Sequence, residues 1–292
     1  MIIVRLTGGL GNQLFQYAAG FRLAQVNQTQ LKLDLSSYKV NPERAYALTP
    51  FRIQGLIASQ QEINLFGGRE RIRSLKLWLH RKHLYLPAWH WLRQTSPRIM
   101  PEVLAARGKI YLDGVWQNQK YFEDVMPALQ AELAFREAPT GQNQALAEKI
   151  NAVNAASIHI RRGDYVNNPR TKSIHSVCTL DYYENALAAL AKTMPDIHLF
   201  IFSDDPAWAR ENLSYPFPTT IVDHNPPEQA HEDLRLMSLC RHHIIANSSF
   251  SWWGAWLNAY PQKQVYAPSR WFNTSNYNIS DIVPPTWHLV EV

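Results

Sequence analysis

Residues 158–165 carry side chains that could bind a diphosphate. Directly after a short apolar run they place an imidazole, two guanidinium groups and a carboxylate: His159, Arg161, Arg162 and Asp164. A guanidinium group is a planar fork of donors that matches the oxygens of a phosphate. The pattern therefore predicts phosphate binding by Arg161 at the end of a strand. A structural ion pair between Arg162 and Asp164 is the alternative interpretation of the other two charges.

Residues 247–254 offer a second set of phosphate ligands. Asn247, Ser248 and Ser249 end another apolar run and precede a segment rich in tryptophan and alanine, which predicts a helix. The N–H groups at the start of a helix attract anions, and small hydroxyl side chains can add hydrogen bonds. Serine is also a common helix cap, and capping alone is a sufficient local explanation of the same residues.

Acidic residues follow two further predicted elements. Ser203, Asp204 and Asp205 come after an apolar strand, where the acids could contact a ligand or cap the helix that begins at Pro206. Asp233 is predicted near the start of a helix, either as a capping acid or as a carboxylate that accepts the N1 and N2 protons of guanine. The adjacent acids lack the acid–x–acid spacing that holds a divalent ion in many sugar transferases. We therefore expect no metal site.

A glycine turn near the start of the chain opens the first predicted helix. Its Gly9-x-Gly11 pattern, with Asp34 further along, is similar to the fingerprint of NAD-binding domains, although leucine occupies the third glycine position. Backbone N–H groups and the amides of Asn12 and Gln13 could instead face a ligand in a cleft. A turn that only allows close backbone packing is the third interpretation.

All of these residues lie near the ends of predicted elements. Short apolar strands alternate with helices of 3.6-residue periodicity, which predicts α/β architecture with parallel, doubly wound sheets. Ligands bind beyond the carboxyl ends of such strands, where the candidate residues are expected. The length of 292 residues allows two domains, which we place at residues 1–150 and 151–292. Residues 40–98 show no pattern that orders them.

The composition is that of a folded globular protein, with 46% hydrophobic and 18% charged residues. No apolar run is long enough to cross a bilayer, and the two cysteines fit reduced thiols, so we expect a cytoplasmic protein. The net charge of +5 is uneven, since Arg69 to Arg98 contains eight Lys or Arg and one acid. This stretch predicts a solvated helical face or peripheral contact with anionic lipid of the inner membrane. Nucleic-acid binding is less favoured, because no known motif accompanies the charge.

Together the motifs resemble those of the bacterial α-1,2-fucosyltransferases of glycosyltransferase family 11. The resemblance rests on four segments in the expected order: residues 8–17, 159–165, 202–205 and 247–254. It implies a GT-B-like fold of two facing Rossmann-type domains, with no metal and no other cofactor. The implied reaction transfers L-fucose from GDP-β-L-fucose, with inversion, to O2 of a terminal β-galactoside in a lipopolysaccharide or another glycan.

The resemblance implies that the second domain binds the donor. Arg161 would hold the β-phosphate, His159 would lie beside the guanosine, and Asp233 would contact the guanine. The remaining donor-binding candidates share positions at the ends of strands or the starts of helices: Arg162, Ser203, Asp204, Asn247, Ser248 and Ser249.

The resemblance assigns the acceptor to the first domain. The fucose and the acceptor would meet the glycine turn at Gly9, Gly11, Asn12 and Gln13. Asp164 is the candidate general base for the acceptor hydroxyl. A base elsewhere in the first domain, or a dissociative reaction that needs no base, stays open.

Three other functions stay open. An NAD-dependent enzyme would bind its cofactor through the glycine turn and Asp34, and NAD rather than GDP would then raise its Tm. A non-catalytic carbohydrate-binding protein would bind glycans without responding to GDP. A nucleic-acid binder, which we do not expect, would show a steep dependence of its affinity on salt.

Overall fold

The computed structural model describes residues 1–40, 44–66, 89–94, 96–175, 177–274 and 277–292. The side chains of Trp89, Asp164 and Arg170 also lie outside the described residues. Most of the basic stretch from Arg69 to Arg98 falls outside them as well, so the predicted lipid contact concerns residues that the structure does not describe.

The chain divides into two compact units, Met1–Arg136 and Glu137–Val292. This division comes earlier than the predicted boundary at residue 150. The helix Gly141–Ala152 belongs to the second unit because its Ala147 and Ile150 are buried in the core of that unit.

The first unit is built on a parallel sheet. Its strands are β1 Ile2–Arg5, β2 Leu31–Asp34, β3 Leu56–Ile57, β4 Trp89–Arg93 and β5 Lys109–Asp113. They form one five-stranded sheet in the order β3-β2-β1-β5-β4, and every strand pair is parallel. The first three residues of the central strand β1 are all apolar and fully buried, as strands covered on both faces require.

The longest helix of the first unit packs directly on its sheet. The α-helices among the described residues of this unit are α1 Leu10–Val26, α2 Ser36–Val40, α3 Gln60–Leu65, α4 Pro101–Leu104 and α5 Met126–Glu132. A Cβ atom at Gly20 of α1 would lie 2.9 Å from the Leu31 side chain and 3.0 Å from that of Val4. Glycine at this position therefore allows α1 to approach β1 and β2 closely.

The second unit contains the larger parallel sheet. Its strands are β6 Asn154–Ile160, β7 Ile197–Ser203, β8 Thr219–Val222, β9 His242–Ile244, β10 Val265–Pro268 and β11 His288–Val290. They form one six-stranded sheet in the order β11-β10-β9-β6-β7-β8, again with parallel pairs throughout. The carboxyl ends of all these strands therefore lie along one edge.

Helices cover both faces of the second sheet. They are α6 Gly141–Ala152, α7 Gly163–Asn167, α8 Pro169–Ile174, α9 Leu180–Ala191, α10 Pro206–Asn212, α11 Ala230–Leu239 and α12 Ser249–Leu257. Alternate residues of β7 point to opposite faces: Leu199 and Ile201 join the core beneath α9, whereas Phe200 and Phe202 join the core beneath α6 and α11. The prediction of doubly wound parallel sheets is thus confirmed. No helix in the described part of the chain is long and apolar enough to span a membrane.

Candidate active site

The carboxyl ends of β6 and β7 bring Arg161 against Asp204. The two strands pair in register, with Ile160 opposite Ser203, so the following residues emerge side by side. Arg161 Nη1 lies 3.0 Å from Asp204 Oδ2. The other oxygen of the carboxylate accepts the backbone N–H of Arg162 at 2.8 Å. Asp204 therefore orients the predicted phosphate ligand and the backbone that follows it.

Gly163 allows this close approach. A Cβ atom at residue 163 would lie 2.5 Å from Asp204 Oδ2, a distance that real Cβ atoms essentially never show. A side chain at this position would displace the carboxylate that holds Arg161. No role was predicted for this glycine from the sequence, although its place beside the two arginines was an available signal.

Arg162 pairs with Asp205. Its Nε lies 3.6 Å from Asp205 Oδ2, and its guanidinium carbon lies 3.9 Å from the centre of the Trp208 ring, a cation–π contact. Asp205 also caps α10 by accepting the N–H of Trp208 at 3.2 Å, and Ser203 Oγ accepts the N–H of Asp205 at 2.9 Å. The alternative partner predicted for Arg162 was Asp164, whose side chain is not described.

His159 is buried with a free nitrogen. It is 4% exposed, yet its Nδ1 makes no hydrogen bond with any residue in the described ranges. Burial, with a smaller contribution from Arg161, lowers the pKa of the imidazole to about 3, so the ring is neutral. The ring centre of Phe250, at the start of α12, lies 5.6 Å from that of His159. Buried polar atoms normally have a partner, and a bound ligand could supply this one.

Asp233 lies in the first turn of α11 and is held by the side-chain amide of Asn225. Its Oδ1 accepts a hydrogen bond from Asn225 Nδ2 at 2.7 Å, and Asn225 exchanges hydrogen bonds with Asn143 of α6. Burial raises the pKa of the Asp233 carboxyl to about 6, against the lowering effect of Asn225. Neither asparagine was predicted from the sequence, although Asn225 lies in the loop that follows β8. Within the described residues, no group of three or more His, Cys, Asp or Glu could hold a metal ion.

The turn after β9 has a structural role in the folded chain. Asn247 is 1% exposed, and its Nδ2 donates to the carbonyl of Trp271 at 2.9 Å. Ser248 caps α12, because its hydroxyl accepts the N–H of Phe250 at 3.3 Å. Ser249 is the first residue of the helix and is partly exposed. The capping interpretation of this segment is confirmed for Ser248, and Ser249 is the residue at the helix start that solvent can reach.

The glycine turn of the first unit begins α1 without a side-chain cap. Gly9 occupies the cap position, and Gly8 before it has φ +73, a conformation that favours glycine. Asn12 is partly exposed, and its Oδ1 accepts a hydrogen bond from Gln117 at 2.8 Å. The turn therefore presents backbone N–H donors and one amide. Gly11, the other predicted residue, is buried in the first turn of the helix.

Gln13 holds the turn rather than facing outwards. It is fully buried, and its Nε2 donates to the carbonyls of Gly8 at 3.0 Å and Ala45 at 2.8 Å. Its Oε1 accepts the N–H of Ala47 at 2.8 Å. These three bonds occupy the amide, so Gln13 fixes the loop beside the turn.

Both carboxylate oxygens of Asp34, the residue that an NAD-binding interpretation needs, already accept hydrogen bonds within the protein. It is 1% exposed, and Tyr111 donates its hydroxyl to Oδ2 at 2.5 Å while the N–H of Ser36 bonds to Oδ1 at 2.8 Å. A ribose-binding carboxylate must be accessible and have a free oxygen. The geometry of Asp34 disfavours the NAD interpretation.

Comparison with known proteins gives the family. The sequence profile of Glycosyl transferase family 11 matches residues 1–291. The chain belongs to glycosyltransferase family 11. One relative is an Escherichia coli alpha-1,2-colitosyltransferase, 34% identical over 100% of this chain and 99% of the relative. The predicted resemblance is therefore confirmed, and the chain is a glycosyltransferase.

Two further relatives are also named as glycosyltransferases. The Escherichia coli O-antigen biosynthesis glycosyltransferase WbnK is 31% identical and aligns with 93% of this family 11 chain and 95% of its own length. Galactoside alpha-(1,2)-fucosyltransferase 2 of Rattus norvegicus is 23% identical and aligns with 88% and 67%, respectively.

A solved structure shows the fold. The crystal structure of NodZ alpha-1,6-fucosyltransferase soaked with GDP-fucose matches this family 11 chain with a TM-score of 0.54. The identity is 16%, and the match covers 88% of this chain and 91% of NodZ. Together with the two parallel sheets, this likeness confirms the predicted α/β, GT-B-like fold class.

Proposed function

We propose that this glycosyltransferase moves L-fucose from GDP-β-L-fucose to O2 of a terminal β-galactoside, with inversion and without a metal ion. The observation that carries the proposal is the edge of the second sheet. There the Arg161–Asp204 pair follows β6 and β7, the unsatisfied His159 is the penultimate residue of β6, and the start of α12 follows β9. Guanidinium groups and helix N-termini are suited to a diphosphate. The names of the rat relative and of the NodZ structure support the same donor class.

The guanosine would occupy the part of this edge formed by His159 and Asp233. A carboxylate of Asp233 would accept the N1 and N2 protons of guanine, and the Nδ1 of His159 would bind a polar atom of the nucleoside. Both proposals use groups that the fold prepares, because Asn225 orients Asp233 at 2.7 Å and burial keeps His159 neutral.

In the proposed reaction, the acceptor O2 bonds to the anomeric carbon of fucose while the bond to the β-phosphate oxygen breaks on the opposite face. GDP leaves with the electron pair of that bond, and Arg161 and the N–H groups at the start of α12 stabilise its growing negative charge. The O2 proton passes to a general base, for which we propose Asp164. The neutral acceptor would meet the first unit at Gly9 and Asn12, in a turn that the buried Gln13 holds.

L-Colitose is a second candidate donor sugar, favoured by the 34% identical colitosyltransferase. Colitose is L-fucose without the hydroxyl group at C3, so both sugars could share the GDP site and the linkage. A site that binds the C3 hydroxyl through hydrogen bonds rejects the deoxy sugar strongly, by about 10⁴–10⁵-fold in kcat/KM. An apolar site discriminates by only about 10²-fold.

The decisive experiment measures GDP release from GDP-fucose and GDP-colitose, with and without lactose, in EDTA. We expect release from GDP-fucose that increases with lactose, and a product with an α-1,2 linkage by NMR. A higher rate with GDP-colitose would show that GDP-colitose, and not GDP-fucose, is the donor. Loss of activity in EDTA would refute metal independence. Glycan binding without GDP release would leave a non-catalytic carbohydrate-binding protein as the better description.

A further inference from the structure

An open cavity of about 540 Å³ lies beyond the carboxyl end of β10 in the second unit. Its lining combines a cation, two aromatic rings and two amides: Arg270, Phe272, Tyr277, Asn273 and Asn278. Its volume falls within the range of small-molecule sites, about 300–1,000 Å³. Neither the sequence motifs nor the proposed function uses any of these residues.

The cavity belongs to the same sheet edge as the donor-binding candidates. Tyr266 of β10 pairs with Ile244 of β9, so the residues that follow the two strands emerge together. A hydrogen bond of 2.9 Å from Asn247 to the carbonyl of Trp271 fixes this neighbourhood. Arg270 and Ser248 are each one residue from that bond. The backbone of Arg270 is therefore held beside the start of α12.

Hydrogen bonds from the backbone fix the turn that carries Arg270. Trp271 is 2% exposed, and the N–H groups of Trp271 and Phe272 both donate to the hydroxyl of Tyr277, at 2.7 and 3.1 Å. The backbone N–H of Asn273 donates to the carbonyl of Ile174 at 2.8 Å. The backbone that follows Arg270 is thus held, although the Arg270 side chain is exposed.

Arg270 differs from the two arginines after β6 in its charge balance. Arg161 and Arg162 pair with Asp204 and Asp205, so two cations and two anions leave that group formally neutral. Arg270 is exposed and makes no hydrogen bond or ion pair with any residue in the described part of the chain. A nucleoside diphosphate sugar carries two negative charges on its phosphates. An unpaired guanidinium can meet such a charge without giving up a partner.

We infer that Arg270 binds the diphosphate of the nucleotide-sugar donor and supplies the positive charge that the paired arginines lack. The inference rests on the proposed function, since it assumes a GDP-sugar at this edge. It assigns the cavity after β10 to the donor, with the phosphates at its Arg270 side.

The test is binding of GDP and of guanosine to the full-length chain, measured by calorimetry. Arg270→Gln should weaken GDP binding by about 10- to 100-fold, the scale for one hydrogen bond to a charged group, and leave guanosine binding unchanged. Arg270→Lys should give an intermediate affinity, because a point charge replaces the fork of donors. Neither substitution should lower Tm, since the side chain is exposed and bonded to no described residue.

Lys192→Gln is the matched control. Lys192 is exposed at the carboxyl end of α9, and its loss removes the same charge from the same unit. Equal GDP affinity in wild type and Arg270→Gln would overturn the inference while the proposed function stands. A defect of Arg270→Gln confined to the KM of an acidic acceptor would overturn it too. If the wild-type chain binds neither GDP nor GDP-fucose, the proposed function fails and this inference fails with it.

Discussion

The predicted donor edge of the second unit and the glycine turn of the first unit differ in the chemistry that they present. After β6 and β7, two arginines are paired with two aspartates, and a neutral buried histidine lies nearby. The glycine turn instead offers backbone N–H donors and the amide of Asn12. Charged, oriented groups suit a diphosphate, whereas neutral donors suit sugar hydroxyls.

The two helix starts show the same contrast. α12 is capped by the Ser248 hydroxyl, whereas α1 begins after Gly9 with no side-chain cap. A cap satisfies one of the first N–H groups of a helix, and an uncapped start leaves that group for solvent or ligand. We therefore expect substitutions at the two places to affect different kinetic parameters. Those in the second unit should change donor kinetics, and those in the first should change acceptor kinetics.

The largest expected effect comes from Arg161→Ala. Turnover should fall by about 10²–10³-fold, the scale for one preorganised donor to a developing charge. Steady-state kinetics with GDP-fucose and lactose measure this, with Arg52→Ala, an exposed arginine of the first unit, as the control. Near wild-type turnover in Arg161→Ala would refute the proposal that Arg161 stabilises the leaving GDP. The proposed difference between the two regions would then be wrong as well.

Gly163→Ala tests the arginine pair without touching a charge. The added Cβ would lie 2.5 Å from Asp204 Oδ2 and push the carboxylate away from Arg161. Misplacement of a positioning group by about 1 Å can cost about 10²-fold in rate, and we expect a loss of that order in kcat/KM. Gly141→Ala is a control, because a Cβ there would meet no atom within 4 Å, although its φ of +57 adds some strain. Equal activity of the two variants would show that Gly163 does not help to position the Arg161–Asp204 pair.

Asp233 should make donor binding pH-dependent. Its pKa of about 6 means that the carboxyl is mostly ionised at pH 7 and mostly protonated at pH 5. A protonated carboxyl cannot accept both guanine protons, so the donor KM should rise about 10-fold between pH 7 and pH 5, one decade per pH unit below the pKa. The same titration of Asp233→Ala should lack this step. Identical profiles for the two proteins would remove Asp233 from the guanine site.

The smallest expected effect is that of Asn12→Ala in the first unit. Loss of one neutral hydrogen bond is worth about 0.5–1.5 kcal/mol, so the acceptor KM should rise about 2- to 10-fold. The dissociation constant of GDP should not change. A weakened GDP affinity instead would contradict the division of roles between the units.

The edge of the second sheet was predictable because strand periodicity places His159, Arg161 and Asp204 after buried runs. Their partners were less predictable. Arg162 pairs with Asp205, which follows the neighbouring strand β7. The partner considered from the sequence was Asp164, because it lies only two residues away. Sequence spacing does not give the register between β6 and β7, and the register decides which charges meet.

The glycine turn shows a second limit. Gln13 follows two glycines of a typical ligand-binding turn, yet its amide is consumed by backbone groups from residues 8, 45 and 47. Asp34 stands at the expected distance for a ribose ligand, yet Tyr111 covers it. In both cases a residue distant in sequence satisfies the polar group, and a local motif cannot reveal that satisfaction.

The attachment of α6 has a practical consequence for dissecting the enzyme. Asn143 bonds to Asn225, Ala147 and Ile150 are buried in the core, and Arg235 donates to the carbonyl of Glu137 at 2.6 Å. A fragment that starts at residue 151 would lose these contacts and expose apolar surface, so it should aggregate or unfold. A fragment of the second unit expressed on its own should therefore start no later than Glu137.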